Sequence, residues 1–312
     1  MNAIQITDLK KYYGTVKAVD GLTLTVENGS VFGFLGPNGA GKTTTLRMLT
    51  GLAKPTGGNA EVAGVPIRDR QELTRRIGYL PEDPSFYGWM TPAEFLDHVG
   101  RVFGLSAKER KERVTELLEL VDLEYVRKRH IAGFSRGMRQ RLGLAQALIN
   151  HPEVLFLDEP VSALDPAGRK EVLDLIESLR GGTTVFMSTH ILADVERVCD
   201  TVAIINAGRL IVEAPQTELL ERYSIPAIEL EVEPAQGNGF KGWVEGLKDQ
   251  SWVSSLSMNG SSARLVVKDY DLARRQILAS AVQNQIPIRR YEIVRPTLED
   301  IFLRLVGQEA SQ

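Results

Sequence analysis

Residues 36–43 have the sequence GPNGAGKT, which matches the phosphate-binding pattern G-x-x-x-x-G-K-[ST]. The apolar run at residues 31–35 predicts a buried strand before the pattern, and a helix is predicted from Lys42 to about Thr50. Glycines let backbone N–H groups curl around phosphate oxygens, and the helix directs its positive N-terminus at the same charge. We therefore predict a site for ATP and Mg²⁺, with the Thr43 hydroxyl on the metal. The predicted nucleotide contacts are Gly36, Asn38, Gly39, Ala40, Gly41, Lys42, Thr43 and Thr44.

A second stretch, VLFLDE at residues 154–159, is an apolar strand that ends in two carboxylates. Asp158 is placed to hold the metal, directly or through water, and Glu159 is placed to polarise the attacking water as a general base. An acidic strand end that only caps the next segment is the alternative explanation for this pair. Together the two stretches predict an enzyme that hydrolyses ATP.

The order of strands and helices predicts an α/β fold with a mostly parallel sheet. Residues 1–33 alternate apolar and polar as strands do, and Asn28-Gly29 is predicted as a hairpin turn between two of these strands. Residues 85–150 carry helical periodicity, and strand–helix alternation resumes over residues 154–206. We therefore expect an antiparallel β subdomain, a mostly parallel sheet and a helical insert at about 85–150.

A second region begins where Ser224-Ile225-Pro226 interrupts this alternation. Beyond it, the order strand, helix, strand, strand, helix, strand predicts a small ferredoxin-like α+β domain. A last helix is predicted over Thr297–Val306. The predicted domains are residues 1–223 and residues 224–312.

Composition sets the broad class of the protein. Of 312 residues, 43% are apolar and 25% are charged, which is ordinary for a globular protein. A net charge of −3 argues against a nucleic-acid partner. We expect no secretory signal at the N-terminus and no membrane-spanning run. The single cysteine, Cys199, excludes an intramolecular disulfide and suits a reducing compartment.

A third stretch, FSRGMRQR at residues 134–141, precedes an apolar helix. A serine that caps a helix N-terminus leaves nearby N–H groups free to bind an anion, although a simple cap beside a basic surface is the alternative. With the other two stretches, this one resembles the Leu-Ser-Gly-Gly-Gln signature of the ATP-binding cassette (ABC) ATPases. Ser135 and Gly137 are kept, whereas the three other positions differ. The differing residues are Phe134, Arg136 and Met138.

The resemblance to ABC ATPases covers roughly residues 3–220 and implies a homodimer. In that family the phosphate loop of one copy faces the signature of the other. Ser135, Gly137 and Met138 of a second copy would therefore contact the ATP held by residues 36–43. Hydrolysis would remove the contacts to the γ-phosphate and loosen the pair.

The same resemblance assigns four more positions. Tyr13 is similar to the aromatic residue that stacks on adenine, although the neighbouring Tyr12 could serve instead. His190 is similar to the histidine that contacts the γ-phosphate and takes part in catalysis. Residues 162–165, SALD, resemble the loop that links the two nucleotide sites, and they also have the pattern of a helix cap. Glu82 stands where the family usually has glutamine, and a carboxylate there can bind Mg²⁺ or orient water.

Residues 295–302, RPTLEDIF, resemble the end of ATP-binding subunits that pair with type-two ABC export permeases. This resemblance implies an integral-membrane permease as partner, export as the direction of transport, and a peripheral location on the cytoplasmic face of the membrane. It places the permease contact at about 85–105, where several aromatic residues are either interface anchors or core. They are Phe86, Tyr87, Trp89 and Phe95, accompanied by Met90.

Two other functions compete with transport. One is a soluble ABC-type ATPase that acts on the ribosome or on DNA, but such relatives usually carry two cassettes, long coiled coils or zinc sites. The other makes residues 225–312 a ligand-sensing module that gates the ATPase, which is compatible with transport. The transported substrate is not encoded in this chain, because the membrane subunit would bind it.

Overall fold

The contacts of the chain divide it into two compact units, Met1–Gln216 and Thr217–Gln312, in the computed structural model. The residues that the structure describes are 2–162, 164–222, 227–232, 237–294, 298–299 and 301–302.

The first unit contains strands β1 to β10 and helices α1 to α7, and helix α8 follows at its end. The strands are β1 (Asn2–Tyr13), β2 (Val16–Glu27), β3 (Val31–Leu35), β4 (Gly57–Val62), β5 (Val65–Pro66), β6 (Ile77–Leu80), β7 (Val154–Asp158), β8 (Thr184–Thr189), β9 (Thr201–Asn206) and β10 (Arg209–Pro215). The helices are α1 (Lys42–Leu49), α2 (Arg70–Arg76), α3 (Pro92–Val102), α4 (Ala107–Leu120), α5 (Arg136–Ala147), α6 (Pro166–Ser178), α7 (Leu192–Val198) and α8 (Gln216–Arg222).

A six-stranded sheet in the order β10-β9-β3-β8-β7-β6 forms the centre of the first unit. Its strands run parallel except for β10, which is antiparallel to β9. Strands β3, β7 and β8 are buried at every position, because helices cover the faces of a parallel sheet. Parallel strands end at the same edge, so the carboxyl ends of β3, β7 and β8 meet there. The predicted α/β fold with a mostly parallel sheet is confirmed.

An antiparallel sheet in the order β2-β1-β4-β5 shares a hydrophobic core with the six-stranded sheet. Phe186 lies at the centre of the aromatic part of this core. Its ring centroid is 5.2 Å from that of Phe32, 5.2 Å from that of Phe34 and 5.7 Å from that of Phe156. The core therefore joins the antiparallel sheet to the strands whose ends form the candidate site.

The predicted hairpin at Asn28-Gly29 is wrong. The chain does turn there, with Gly29 at a φ of 74°, but β2 and β3 belong to different sheets. β3 is buried throughout and pairs in parallel with β8 and β9, so it cannot fold back on β2. The hairpin of the antiparallel sheet lies earlier, where Tyr13 pairs with Val16.

The helical insert consists of α3, α4 and α5. Thr91 and Ser106 each close a capping box with the glutamate three residues later, which fixes the starts of α3 and α4. The helical periodicity predicted for residues 85–150 is present on α4, where Val114, Leu117 and Leu118 are buried. The insert places the N-terminus of α5, and with it Ser135, on the surface of the unit.

The second unit has the ferredoxin-like arrangement that its element order predicts. Its four strands form an antiparallel sheet in the order β12-β13-β11-β14, and its helices pack on one face around a core that includes Phe240 and Trp252. Most of the predicted helix Thr297–Val306, like much of the stretch 295–302, lies outside the described residues. The elements are β11 (Ala227–Val232), α9 (Gly237–Leu247), β12 (Val253–Asn259), β13 (Ser262–Val267), α10 (Tyr270–Gln283) and β14 (Ile288–Val294).

None of the helices in the described ranges combines the length and the apolar character needed to cross a bilayer.

Two glycine-to-alanine changes test the packing of the two units. A Cβ on Gly78 in β6 would lie 2.0 Å from the carbonyl oxygen of Ala147 in α5, whereas a Cβ on Gly242 in α9 meets nothing within 4 Å. We expect Gly78→Ala to lower the free energy of unfolding by about 2 kcal/mol or more. Gly242→Ala should raise it by about 0.5–1 kcal/mol, because alanine favours a helix. Denaturant unfolding of the full-length chain measures both, and equal effects of the two changes would contradict the packing described here.

Candidate active site

The phosphate loop, residues 36–43, follows a path that two of its glycines make possible. A Cβ on Gly36 would lie 2.4 Å from the carbonyl oxygen of Ile205. Gly41 has a φ of 104°, and a Cβ there would lie 2.3 Å from the carbonyl oxygen of Ala18. The loop is therefore wedged between β2 and β9, and only glycine fits both positions.

The side chain of Lys42 is buried and folds back over this loop. Its ammonium donates to the carbonyl oxygens of Gly36 at 2.8 Å and Pro37 at 3.3 Å. The same nitrogen lies 3.5 Å from Oε1 of Glu159. Lys42, the predicted phosphate-binding cation, therefore lies beside Glu159, the predicted general base. Each of the two side chains compensates the charge of the other. Asn38, Gly39 and Ala40 form the tip of the loop, and Thr44 is half-buried in the first turn of α1.

Asp158, at the carboxyl end of β7, is 1% exposed and accepts hydrogen bonds from two hydroxyls. Its Oδ1 accepts from Thr43 Oγ1 at 3.2 Å and from Ser188 Oγ at 2.6 Å. Oxygen donors of this kind suit Mg²⁺, which usually takes one or two protein ligands plus phosphate and water. Among the described residues there is no cluster of three or more His, Cys, Asp or Glu side chains that could hold a metal. Thr43 and Asp158 therefore fit a magnesium ion that is shared with a nucleotide.

Glu159 is buried and leaves the strand in a left-handed conformation, with a φ of 49°. Both carboxylate oxygens lie 2.9 Å from Nδ1 of His190, and Thr189 Oγ1 donates to Oε2 at 3.4 Å. The backbone N–H of Glu159 donates to the carbonyl oxygen of Ser188 at 3.0 Å. This unusual backbone conformation turns the carboxylate away from the strand direction. The predicted base and the predicted histidine are therefore in direct contact.

Ser135 caps α5, accepting a hydrogen bond from the N–H of Met138 at 3.2 Å. Gly137 faces Leu164, whose Cδ2 would lie 3.3 Å from a Cβ at that position. No hydrogen bond or ion pair among the described residues joins Ser135, Gly137 or Met138 to residues 36–44. Within one chain, the signature and the phosphate loop are not brought together.

Glu82 is exposed on the segment that follows β6. Leu80 pairs with Leu157, so β6 and β7 end at the same edge of the sheet. None of the hydrogen bonds of the described residues joins Glu82 to Thr43 or Asp158. Its role at the metal stays a prediction.

The two tyrosines at the end of β1 differ in solvent exposure and in hydrogen bonding. Tyr12 is half-buried, and its hydroxyl donates to Asp20 at 2.5 Å. That hydroxyl and the guanidinium of Arg209 hold the pKa of Asp20 well below its usual range. Tyr13 is 51% exposed, with Lys11 Nζ 4.8 Å from its ring centroid. Of the two rings, that of Tyr13 is the more accessible for stacking.

The segment Ser162–Asp165 includes the cap of α6. Asp165 accepts from the N–H of Gly168 at 3.3 Å, as the cap interpretation predicts. Ser162 donates to the carbonyl oxygen of Glu159 through its N–H at 3.3 Å and its Oγ at 3.2 Å. The described part of this segment thus supports the backbone of Glu159, and its role between two nucleotide sites stays a prediction.

Sequence reasoning missed three residues that hold the site together. Ser188 and Thr189 bind the two carboxylates, and their position at the end of the strand parallel to β7 was an available signal. Gly208, in the turn after β9, donates to the carbonyl oxygen of Ala40 at 3.0 Å and so holds the phosphate loop. Nothing near Gly208 in the sequence indicates that contact.

Comparisons with known proteins agree with this geometry. Residues 19–162 match the family described as ABC transporter, and residues 216–306 match the C-terminal domain of DrrA1-3-like ATP-binding proteins. The chain is 41% identical over 304 residues to the uncharacterized ABC transporter ATP-binding protein YxlF of Bacillus subtilis, with 97% of this chain and 99% of the relative covered. It is 36% identical over 316 residues to the daunorubicin resistance ATP-binding protein DrrA3 of Streptomyces coeruleorubidus, with 98% of this chain and 96% of the relative covered.

A solved structure shares the fold of the first unit. It is the dimeric post-hydrolysis state of the ATP-binding cassette MJ0796 bound to ADP and Pi, at 25% identity and a TM-score of 0.63, covering 68% of this chain and 98% of that one. The similarity to YxlF extends over almost the whole chain, and the buried carboxylates lie beside the phosphate loop as ATP hydrolysis requires. This chain therefore belongs to the ATP-binding proteins of the ABC transporter family and is an ATPase.

Proposed function

We propose that this chain is the energy-coupling subunit of an ABC exporter, in which two copies close on ATP and act on an integral-membrane permease at the cytoplasmic face of the membrane. The observation that carries the proposal is the contact of Glu159 with both Lys42 and His190, beside the pair formed by Thr43 and Asp158. Export is supported by the similarity to DrrA3, which is described as a daunorubicin resistance protein.

In the proposed reaction, the phosphates lie along residues 36–43 and the Lys42 ammonium turns from Glu159 to the β- and γ-phosphates. Thr43 and Asp158 would hold Mg²⁺, with Glu82 as a further candidate. When bound, Mg²⁺ neutralises charge on the phosphate oxygens.

Glu159 acts on the attacking water in this scheme. The water oxygen forms a bond to the γ-phosphorus, the bond between that phosphorus and the bridging β–γ oxygen breaks, and Glu159 takes the proton of the water. His190 Nδ1 lies 2.9 Å from the Glu159 carboxylate, and in this scheme the same ring would also donate a hydrogen bond to the γ-phosphate of ATP.

The proposed homodimer completes each site. Ser135, Gly137 and Met138 make no described hydrogen bond to the phosphate loop of their own chain, so a second copy is the natural source of that contact. The free N–H groups at the start of α5 suit an anionic γ-phosphate. The dimeric state of MJ0796 supports this arrangement.

The proposed permease contact uses exposed aromatic residues in the stretch 85–105. Phe95 is buried and belongs to the core, and its ring packs edge-to-face on that of the half-buried Phe86, with the ring centroids 5.1 Å apart. Tyr87 and Trp89 are 56% and 69% exposed, with ring centroids 5.9 Å apart. This pair is a suitable anchor for a protein partner.

A shallow groove of about 250 Å³ in the same unit is a second candidate for permease contact. Leu52 and Phe103 line it, and they are 64% and 39% exposed. We propose that a helix of the permease lies in this groove, because exposed apolar side chains of this size favour a protein partner.

The adenine contact is tested by changing the two tyrosines separately. We expect Tyr13→Ala to weaken ATP binding about tenfold, because a base loses its stacking partner. Tyr12→Phe should leave binding unchanged, since only the hydroxyl bound to Asp20 is removed. Calorimetry with ATP measures both effects, and inorganic triphosphate, which has no base, serves as the control. Equal weakening of ATP and triphosphate binding by Tyr13→Ala would contradict stacking.

The partner is tested by pull-down of the tagged chain from detergent-solubilised membranes, with mass spectrometry of what co-purifies. We expect a stoichiometric polytopic membrane protein, lost in Trp89→Asp and retained in Tyr125→Asp, which changes another aromatic residue that is 70% exposed. Recovery with ribosomes, with nucleic acid or with no partner would contradict the transporter proposal and favour a soluble ATPase.

A further inference from the structure

Two ion pairs join helices α6 and α7 at different depths. Near the starts of the helices, Arg169 Nε lies 2.6 Å from Asp194 Oδ1, and the Asp194 side chain is 1% exposed. Further along the helices, Arg197 pairs with Asp174 on the surface, where the side chains are 34% and 53% exposed. One helix pair therefore carries a buried contact and an exposed contact of the same chemistry.

The buried pair joins the two helices that follow the segments holding Glu159. On one side, Ser162 binds the carbonyl oxygen of Glu159, and its segment leads directly into α6. On the other side, His190 contacts the Glu159 carboxylate at 2.9 Å, and its segment leads directly into α7. Asp194 follows His190 by four residues and lies in the first turn of α7. A contact that fixes the first turns of α6 and α7 thus fixes both supports of the base.

The surroundings of Asp194 do not suit an ion pair whose only role is to stabilise the fold. Oδ1 is bound by Arg169, while Oδ2 has no hydrogen-bond partner among the described residues. Burial raises the pKa of Asp194, the charge of Glu159 raises it further, and Arg169 and Arg197 oppose the rise. A buried ion pair with an unsatisfied oxygen contributes little net stability, because desolvation offsets the attraction. Its location beside the base calls for another explanation.

We propose that Arg169 and Asp194 are positioning residues for ATP hydrolysis, which hold the starts of α6 and α7 together and so keep His190 in contact with Glu159. Neither residue contacts the reacting atoms in this scheme. The inference rests on the proposed roles of Glu159 and His190. It assigns no part in nucleotide binding to either member of the pair.

Steady-state ATP hydrolysis by the full-length chain tests this role. Asp194→Asn and Arg169→Met each leave the pair without its opposite charges, and we expect each to lower kcat about fivefold to tenfold. The KM for Mg-ATP should change by less than about twofold, because residues 36–43 are untouched. Arg169→Lys keeps a cation opposite Asp194. Because this position is 32% exposed, the lysine side chain has room to reach the carboxylate. This variant should recover most of the lost kcat.

The exposed pair supplies the matched control. Asp174→Asn breaks the other contact between the same two helices, and it should retain the kcat and KM of the unchanged chain. An equal fall in kcat for Asp174→Asn would show that any loosening of α6 and α7 has this effect, and would overturn the proposal. Wild-type kcat in folded Arg169→Met would overturn it as well. If Asp194→Asn does not fold, Arg169→Met and Arg169→Lys decide the question.

Glu159→Gln, measured in parallel, separates this inference from the proposed function. Turnover lost in Glu159→Gln but retained in Asp194→Asn and Arg169→Met would overturn the positioning role alone. Turnover retained in Glu159→Gln would overturn the role of the base, and the positioning role with it.

Discussion

Asp158 and Glu159 place two carboxylates in the interior at the end of β7, and each must be compensated there. A buried charge that loses its partner costs about 3–5 kcal/mol. Asp158 is satisfied by the hydroxyls of Thr43 and Ser188, and Glu159 by the cation of Lys42 and the ring of His190. The phosphate loop, the end of β8 and the segment before α7 are all tied to β7 through these contacts. The rest of the site depends on this compensation.

The same contacts explain how binding and hydrolysis are linked in the proposed mechanism. The Lys42 ammonium is shared between Glu159 and two loop carbonyls, so it is held close to the place where phosphates bind. The phosphates of ATP carry more negative charge than one carboxylate, so they would attract the ammonium more strongly than Glu159 does. As Lys42 turns to the phosphates, Glu159 loses one cation and becomes free to accept a proton from water. Nucleotide binding thus prepares the base for its role.

Much of the fold and of the nucleotide site is predictable because it depends on local pattern and on parallel pairing. The phosphate loop is encoded by consecutive residues, and the fully apolar run before Asp158 indicates a buried parallel strand. Parallel strands end together, so the convergence of Lys42, Asp158, Glu159 and His190 follows from topology. The ferredoxin-like unit follows from its order of strands and helices, although its sheet is antiparallel.

The rest depends on contacts that no local pattern records. Asn28-Gly29 has the chemistry of a turn, but that chemistry does not say whether the next strand joins the same sheet. Arg169 and Asp194 are 25 residues apart, and only the packing of α6 on α7 pairs them. The hydroxyl of Tyr12 is held by Asp20 on the neighbouring strand, whereas the ring of Tyr13 is exposed, and no local pattern distinguishes the two tyrosines. The proposed contact of Ser135 with nucleotide depends on a second copy, which one sequence does not describe.

The central claim is that Glu159 is the general base, and one substitution tests it most directly. Glu159→Gln keeps the size of the side chain and one acceptor oxygen but cannot accept a proton at neutral pH. ATP binding should change by less than about twofold, while release of phosphate should slow by about 100-fold. An ATP-dependent dimer should accumulate, because the bound nucleotide is no longer cleaved. Phosphate release at the rate of the unchanged chain would contradict the account.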